Sequence, residues 1–358
     1  MITAQKLDDP GFLQESDPEG MLVAVETFHR QCEDALKQGE GFSRLPTAEK
    51  VKGLCFIGMG GSGIGGDILS SLLVQESGLP VLVHKDYGLP GSVGSEALVV
   101  ATSYSGNTEE TLSGFEEAMA RGCPILAVTS GGELGQRASR LGVPCIIVPQ
   151  GMQPRAALGY LTLPAGMVLE RMGLLEGFSS SSRKAMESMR RQGEGWRPDV
   201  RVEDNSAKRM AGFVDGRIPL VYGAHGPLQV AAYRWKCQFN ENAKNPAYYN
   251  VLPEMNHNEM AGWEIADELK TSLVVIILAD AHADARMAKK VKVTAQLLRE
   301  QVAGVEVVEV EGSDPLEKLM TAVHMGDYVS VYLALLKGVD PTPVDAIARL
   351  KKKMAGGD

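Results

Sequence analysis

Residues 54–67, with the sequence LCFIGMGGSGIGGD, constrain the fold more than any other stretch of the chain. They begin with a short apolar run that predicts a buried strand, turn glycine-rich, and lead into the helix-compatible run 68–73. Glycines let the backbone approach a ligand closely with its N–H groups exposed; they stand at Gly58, Gly60, Gly61, Gly63, Gly65 and Gly66. Because a helix start also favours negative charge, the stretch predicts an anion-binding turn between a strand and a helix.

Two other interpretations of this stretch remain open on its residues alone. Gly58, Gly60 and Gly63 have GxGxxG spacing, and Asp86 follows about twenty residues later, which is typical of a dinucleotide-binding turn. A strand-to-helix turn without any ligand is the other possibility.

Composition and charge narrow the class of protein. The 358 residues allow two domains, and the net charge of −9 disfavours nucleic acid as a partner, because phosphate neutralisation needs a basic face. The five cysteines are scattered without a CxxC motif, which favours a reducing compartment. No signal-peptide pattern and no run of about 18 apolar residues is present, so we expect a cytoplasmic protein that contacts no membrane.

Short apolar runs alternate with helical segments, which predicts an α/β fold with parallel, doubly wound sheets covered by helices. The predicted strands of the first half are 53–58, 80–84, 97–102, 124–129 and 144–148, and those of the second half are 218–223, 272–278 and 305–310. We expect a helical lead-in at 1–50, a first subdomain at 51–150, connecting helices and a linker at 151–200, and a second subdomain with C-terminal helices at 201–358. Within the connection, residues 151–175 predict a long apolar helix interrupted at Pro164.

A second group of donors follows the third predicted strand, in the sequence SYSGNTEE at 103–110. Ser103, Ser105 and Thr108 can cap the next helix or coordinate an anion. Two donor-rich loops at the carboxyl ends of one parallel sheet favour a shared phosphate site, and a dinucleotide site does not need this hydroxyl cluster.

These two loops resemble the sugar isomerase (SIS) domain, which binds phosphosugars. The whole chain resembles the bifunctional phosphoglucose/phosphomannose isomerase family through three further blocks. They are MQPRAALGYL, NENAKNPAYYNVLPEMNHNEMAGW and DYVSVYLALLKGVDPTPVDAI. The resemblance spans about residues 50–350 and implies two SIS subdomains, a homodimer with a shared active site, and no cofactor.

The resemblance also assigns roles to individual residues. Gly61, Ser62, Ser103, Ser105 and Thr108 would hold the substrate phosphate. Glu241 would be the base that moves a proton between C1 and C2, His257 would open the sugar ring with help from Lys337, and Arg155 would stabilise the enediolate. Ser330 occupies a position that the resemblance links to the acceptance of both epimers at C2.

The chemistry of aldose–ketose isomerisation suits these residue types, because it needs a base, a proton shuttle for the ring oxygen and a cation near the oxyanion. From the residues alone, Glu254 and Glu259 compete with Glu241 for the base, and only the resemblance ranks Glu241 first. No His, Cys, Asp or Glu cluster has zinc-ligand spacing, so we expect no metal. The remaining alternative is a phosphosugar-binding regulator without catalytic activity.

Overall fold

The computed structural model describes residues 4–47, 51–263 and 267–354. The chain forms two compact units. The first-sheet unit consists of Thr27–Ser188 and Gly312–Met320, and the second-sheet unit consists of Met1–Glu26, Met189–Glu311 and Thr321–Asp358.

The first-sheet unit is built on a parallel sheet whose strand order is β2-β1-β3-β4-β5. Its strands are β1 Gly53–Ile57, β2 Val81–His84, β3 Ala97–Thr102, β4 Ile125–Thr129 and β5 Cys145–Ile147. Every residue of β1 and β4 is buried, as expected for strands covered on both faces. All five strands were predicted from their apolar runs, and the order reverses direction between β1 and β3, which is where doubly wound sheets bind ligands.

Helices cover this sheet through apolar side chains. The unit contains α3 Phe28–Gly41, α4 Gly60–Glu76, α5 Glu109–Ala120, α6 Gly132–Leu141, a 3₁₀ turn Pro154–Ala156 and α7 Leu158–Arg171. Phe115 of α5 and Leu134 of α6 lie in one buried cluster with Val99 and Ala127 of the sheet. The helices α4 and α7 also pack on the strands, and α3 packs along α7.

The second-sheet unit repeats the architecture with a parallel sheet of order β7-β6-β8-β9. The strands are β6 Ile218–Ala224, β7 Tyr248–Leu252, β8 Leu273–Asp280 and β9 Gly304–Val310. The strand β7 was missed in the sequence because its exposed tyrosines, Tyr248 and Tyr249, make no apolar run. Both sheets are parallel and flanked by helices, which confirms the predicted fold class.

The remaining helices belong mainly to the second-sheet unit. They are a 3₁₀ turn Ala4–Asp8, α1 Pro10–Ser16, α2 Met21–Glu26, α8 Phe178–Gly193, a 3₁₀ turn Glu194–Trp196, α9 Ser206–Val214, α10 Pro227–Glu241, 3₁₀ turns Glu254–His257 and Glu259–Trp263, α11 Asp267–Lys270, α12 Ala285–Leu298, α13 Pro315–Leu336 and α14 Asp345–Met354. The C-terminal lysine run lies in α14, all of whose residues are solvent-accessible. Residues 355–358 lie outside the described part.

The predicted interruption at Pro164 is wrong, because α7 continues through this residue. Proline removes one backbone hydrogen bond and normally bends or breaks a helix. Here the site is fully packed: a Cβ on Gly39 of α3 would lie 2.8 Å from Cα of Pro164, so the two backbones are in close contact. Burial of this apolar face holds the helical path despite the missing donor.

The long helix α13 has the length and apolar character of a membrane-spanning segment. Its apolar window is entirely buried within the protein itself, however. This burial is that of a core helix.

A buried ion pair fastens the N-terminal 3₁₀ turn to α9. The ammonium of Lys208 is fully buried and lies 2.9 Å from Oδ1 of Asp8 and 2.8 Å from the carbonyl oxygen of Pro198. Desolvation tends to raise the pKa of Asp8, but the hydrogen bonds from Lys208 and from the N–H of Val202, with the Lys208 charge, lower it below its usual 3.8. The carboxylate therefore stabilises the folded state in its ionised form.

We predict that Asp8→Ala lowers the free energy of unfolding by about 3 kcal/mol near neutral pH, because it leaves the Lys208 charge buried without a counter-ion. Folding lowers the pKa of Asp8. Its contribution to the free energy of unfolding is therefore complete at pH values well above the pKa in the unfolded state, and it disappears as the pH falls through the pKa in the folded state. The difference between wild type and variant should therefore shrink below about pH 4.

Chemical denaturation at several pH values measures this effect. Glu203→Gln is the matched control, because the Arg201–Glu203 pair is exposed and should contribute less than about 1 kcal/mol. An Asp8→Ala loss as small as that of the control would contradict the prediction.

Candidate functional site

The glycine-rich turn between β1 and α4 is packed against backbone on several sides. A Cβ on Gly61 would lie 2.8 Å from the backbone nitrogen of Arg155, and one on Gly63 would lie 2.7 Å from the carbonyl oxygen of Gly58. Close packing also excludes side chains at Gly58, Gly65 and Gly66. Packing thus requires most of these glycines, whether or not a ligand binds. Gly60, exposed and with φ of 51°, is the one of the six whose surroundings are open.

The starts of α4 and α5 lack side-chain caps. The N-cap residues are Met59 and Thr108, and neither makes a side-chain hydrogen bond to its helix. The first N–H groups of each helix have no partner within the helix, and they carry the positive end of its dipole. Both starts follow strands that are neighbours in the sheet, so uncapped donors stand at one edge.

The loop after β3 is ordered by its own hydroxyl groups. Ser103 Oγ lies 2.9 Å from Thr108 Oγ1 and accepts the N–H of Gly106 at 3.1 Å. Ser62 Oγ, from the glycine turn, accepts the N–H of Tyr104 at 3.0 Å, which joins the two loops. Ser105 is exposed and its Oγ accepts only the N–H of Asn107 within the described chain. The structure therefore brings together the five residues predicted to hold a phosphate.

A third loop, after β4, belongs to the same edge and was missed. Its Ser130 donates to the carbonyl oxygen of Tyr104 at 2.7 Å. Its Gly131 packs closely on Gly106, because a Cβ on Gly106 would lie 2.0 Å from the carbonyl oxygen of Gly131. The sequence TSGG at 129–132 repeats the hydroxyl and glycine content of the preceding loop. The same rule that found the first two loops would have found this one.

Two basic residues lie beside the glycine turn. Arg155 is 2% exposed, and its backbone contacts Gly61, as described above. Lys85, at the end of β2, pairs with Asp67 of α4 at 2.5 Å, and its Cε lies 3.3 Å from the position of a Cβ on Gly63. Burial raises the pKa of Asp67, and Lys85 opposes that shift. The family resemblance predicted a role for Arg155, whereas nothing in the sequence pointed to the Lys85–Asp67 pair.

Glu241, Ser330, Lys337 and His257 belong to the second-sheet unit. Glu241 is the last residue of α10, and this helix is fixed to α13 by a buried ion pair. Arg234 donates to both oxygens of Asp327, at 3.1 and 2.7 Å, and Gln238 donates to the same carboxylate at 2.9 Å. Such a bidentate pair fixes the helix in register as well as orientation.

Ser330 is fully buried beside the end of α10. Its hydroxyl accepts a hydrogen bond from Nδ2 of Asn242 at 2.9 Å and donates to the carbonyl oxygen of Asp327 at 2.8 Å. The structure thus makes Ser330 a support for Asn242, the residue that follows Glu241.

Lys337 contacts the loop that follows Glu241. Its ammonium donates to Oδ1 of Asn245 at 2.7 Å and lies 3.3 Å from the carbonyl oxygen of Lys244. Burial lowers the pKa of Lys337, and the charge of Asp215 acts in the opposite direction. Lys337 therefore contacts the segment NENAKN, residues 240–245, which contains Glu241.

His257 ends a 3₁₀ turn, and its side chain is exposed. Of the two competing carboxylates, Glu254 is exposed and accepts a hydrogen bond from Asn258 at 3.1 Å. Glu259 accepts hydrogen bonds from Tyr222 and Asn250, so both of its oxygens already have donors. This occupation leaves Glu259 poorly suited to the role of base.

A metal site finds no support in the described side chains, because no three His, Cys, Asp or Glu residues among them are grouped to hold an ion. The donors at the first sheet are hydroxyl and N–H groups. Such groups can bind a phosphate without a metal.

Comparison with known proteins agrees with this geometry. Residues 49–154 match the model of the SIS domain, and residues 203–354 match that of the bacterial phospho-glucose isomerase C-terminal SIS domain. A hypothetical protein from Thermus thermophilus has a similar structure, with a TM-score of 0.71 over 99% of this chain and 94% of that one. Its sequence is only 15% identical, so this likeness concerns the fold alone.

Sequence relatives extend over nearly the whole chain. The bifunctional phosphoglucose/phosphomannose isomerase of Caldicellulosiruptor bescii is 38% identical over 335 residues, which cover 94% of this chain and 99% of the relative. That of Aquifex aeolicus is 39% identical over 334 residues, 90% of this chain and 98% of the relative. With this similarity over both SIS domains, the chain belongs to the bifunctional phosphoglucose/phosphomannose isomerase family.

Proposed function

We propose that this chain is an aldose–ketose isomerase that interconverts glucose 6-phosphate and mannose 6-phosphate with fructose 6-phosphate. The observation that carries the proposal is the similarity to enzymes of that name over 94% of the chain. The donor-lined edge of the first sheet supports it, because hydroxyl and N–H groups at two uncapped helix starts suit a phosphate dianion.

We assign the phosphate group of the substrate to Gly61, Ser62, Ser103, Ser105 and Thr108. Support comes from their convergence at one edge of the sheet, from the hydrogen bond between Ser103 and Thr108, and from the bond that Ser62 accepts from the N–H of Tyr104. These bonds hold the hydroxyl groups in place before a ligand arrives, which limits the entropy lost on binding.

We assign the base to Glu241. It takes a proton from C1 of the ketose or C2 of the aldose and returns it to the other carbon through an enediolate. Arg155 supplies the cation that stabilises the enediolate oxygen, because a guanidinium stays charged and offers several donors. The buried Arg234–Asp327 pair supports the assignment of Glu241, since it fixes the helix that ends in this residue.

We assign ring opening to His257, with Lys337 assisting. Ring opening breaks the bond between the anomeric carbon and the ring oxygen. The protonated imidazole gives a proton to the ring oxygen. The anomeric hydroxyl loses its proton as the carbonyl forms, and that proton restores the protonated imidazole. The depressed pKa of Lys337 makes its ammonium a better proton donor than an exposed lysine, which suits an assisting role.

We propose that Ser330 influences the acceptance of both C2 epimers through Asn242. The hydrogen bond between them fixes the side chain that follows Glu241.

We further propose that the subdomain boundaries are 51–150 and 201–358. We also propose that the protein is a cytoplasmic homodimer in which His257 serves the active site of the partner subunit. The exposure of His257 within one chain supports the last point.

The first prediction tests the activity itself. The purified protein, in the presence of EDTA, should convert both glucose 6-phosphate and mannose 6-phosphate to fructose 6-phosphate in coupled assays. Activity with glucose 6-phosphate alone would retain the mechanism and remove the role of Ser330. Binding of phosphosugars by calorimetry without turnover would instead identify a regulator.

The second prediction concerns the base. Glu241→Gln should lower kcat by about 10²–10⁴-fold with little change in KM, because the amide keeps the shape of the side chain and cannot accept the proton. Exchange of the C2 proton in D₂O, followed by NMR, should fall in parallel. Glu254→Gln is the control and should retain wild-type kcat; loss of activity in this control with a fully active Glu241→Gln would reverse the assignment.

The third prediction concerns the shared site. His257→Ala and Glu241→Gln should each be nearly inactive alone. When their subunits are mixed and allowed to exchange, about a quarter of the wild-type activity should return, since half of the dimers are mixed and each has one intact site in a two-fold symmetric dimer. No recovery after verified exchange would show that both residues serve the same chain.

A further inference from the structure

We propose that Glu259 is the positioning residue for His257: its carboxylate fastens the His257-bearing turn to two strands of the second sheet and so holds the imidazole ready for ring opening. The inference rests on the proposed function, because it assumes that His257 opens the ring. A positioning role differs from that of the base, for which the sequence made Glu259 a candidate.

The two carboxylate oxygens of Glu259 bind two different strands. The hydroxyl of Tyr222, on β6, donates to Oε1, and the amide Nδ2 of Asn250, on β7, donates to Oε2. Tyr222 is fully buried, and burial together with the Glu259 charge raises the pKa of its hydroxyl, which keeps the hydroxyl a donor. Hydrogen bonds to an ionised acceptor are the strongest available to such a clamp.

The other polar neighbours of His257 also hold the turn. Asn256 donates to Oγ1 of Thr294 on α12 at 2.8 Å, and Oδ1 of Asn258 accepts the N–H of Glu259 at 2.6 Å. At either end, Met255 is fully buried and Trp263 is 6% exposed in the core of the unit. The turn is thus attached to two strands, one helix and the core.

His257 is the exception in this segment. Its side chain is exposed and makes no hydrogen bond or ion pair to the described residues. The orientation of the imidazole is consequently set by the backbone that its neighbours hold. Removal of the clamp should displace the imidazole without touching the base, and a displacement of about 1 Å can lower a rate about 100-fold.

The decisive variant is Glu259→Leu, which removes both acceptors at similar volume. In a Glu241→Gln background, where proton transfer between carbons is blocked, the interconversion of the α and β anomers of glucose 6-phosphate reports ring opening alone. NMR exchange spectroscopy should show that Glu259→Leu slows this interconversion by about 10- to 100-fold. Glu259→Gln should recover most of the rate, because its amide can still bind Tyr222 and a reoriented Asn250.

A second readout separates positioning from general loss of structure. The ketose 5-deoxyfructose 6-phosphate lacks the hydroxyl that closes the furanose ring, so it stays open and needs no ring opening. In the otherwise wild-type chain, Glu259→Leu should leave proton exchange at C1 of this compound within about twofold while slowing exchange with fructose 6-phosphate about 10-fold or more. Glu254→Gln, on the same turn, should change neither rate.

Three results would overturn the inference. The first is an unchanged rate of anomer interconversion in Glu259→Leu. The second is an equal fall in the rate of proton exchange for the open and the cyclic ketose. The third is a Glu241→Gln chain that does not interconvert the anomers although the wild type isomerises fructose 6-phosphate. If Glu259→Leu does not fold, Asn250→Ala removes one donor only and should give the same pattern with a smaller change. A wild-type chain that converts no phosphosugar would instead refute the proposed function.

Discussion

The absence of side-chain caps at two neighbouring helix starts is the constraint on which the first sheet's site depends. The strand order places β1 and β3 side by side, so α4 and α5 begin at the same edge of the sheet, each without a side-chain cap. An anion satisfies these donors and the positive dipole ends together. The hydroxyl group of Ser62 links the two loops, and that of Ser103 orders the second loop by accepting the N–H of Gly106.

The second sheet shows how the same architecture can lack this property. Its helix α12 follows β8 as α5 follows β3, but Asp284 caps it by accepting the N–H groups of Arg286 and Met287 at 2.8 and 3.2 Å. The carboxylate occupies the position that an incoming anion would need. Asp284 therefore disfavours an anion at the start of α12, whereas α10, which follows β6, has Gly226 as its N-cap residue and no side-chain cap.

The predicted and the missed strands differ in their apolar runs. The strands of the first sheet are short and apolar, and β1 and β4 are entirely buried, so their runs were visible in the sequence. The missed strand β7 is an edge strand with exposed Tyr248 and Tyr249. The path of α7 through Pro164 depends on contact with Gly39, which lies far away in the chain. Local rules cannot report such a contact, since it forms only when the helices meet.

The site was predictable to the same degree. Clusters of glycine and hydroxyl residues after β1 and β3 predicted the two loops that the structure joins at one edge of the sheet. The base was not identifiable from its own residue type: a glutamate at a helix end is common, and only the family resemblance selected Glu241. The contacts of Glu259 with Tyr222 and Asn250 join residues that are distant in sequence, so the structure alone distinguishes its role from that of a base.

The backbone contact between Gly61 and Arg155 has a thermodynamic consequence. The glycine-rich turn and the segment that carries Arg155 are ordered against each other when the chain folds. Their conformational entropy is lost during folding, not when a ligand binds. Because no loop has to be ordered on binding, loop ordering should contribute little to the temperature dependence of substrate affinity. A larger residue at position 61 should mainly lower the stability of the folded state, and it should weaken substrate binding only as a result of that loss.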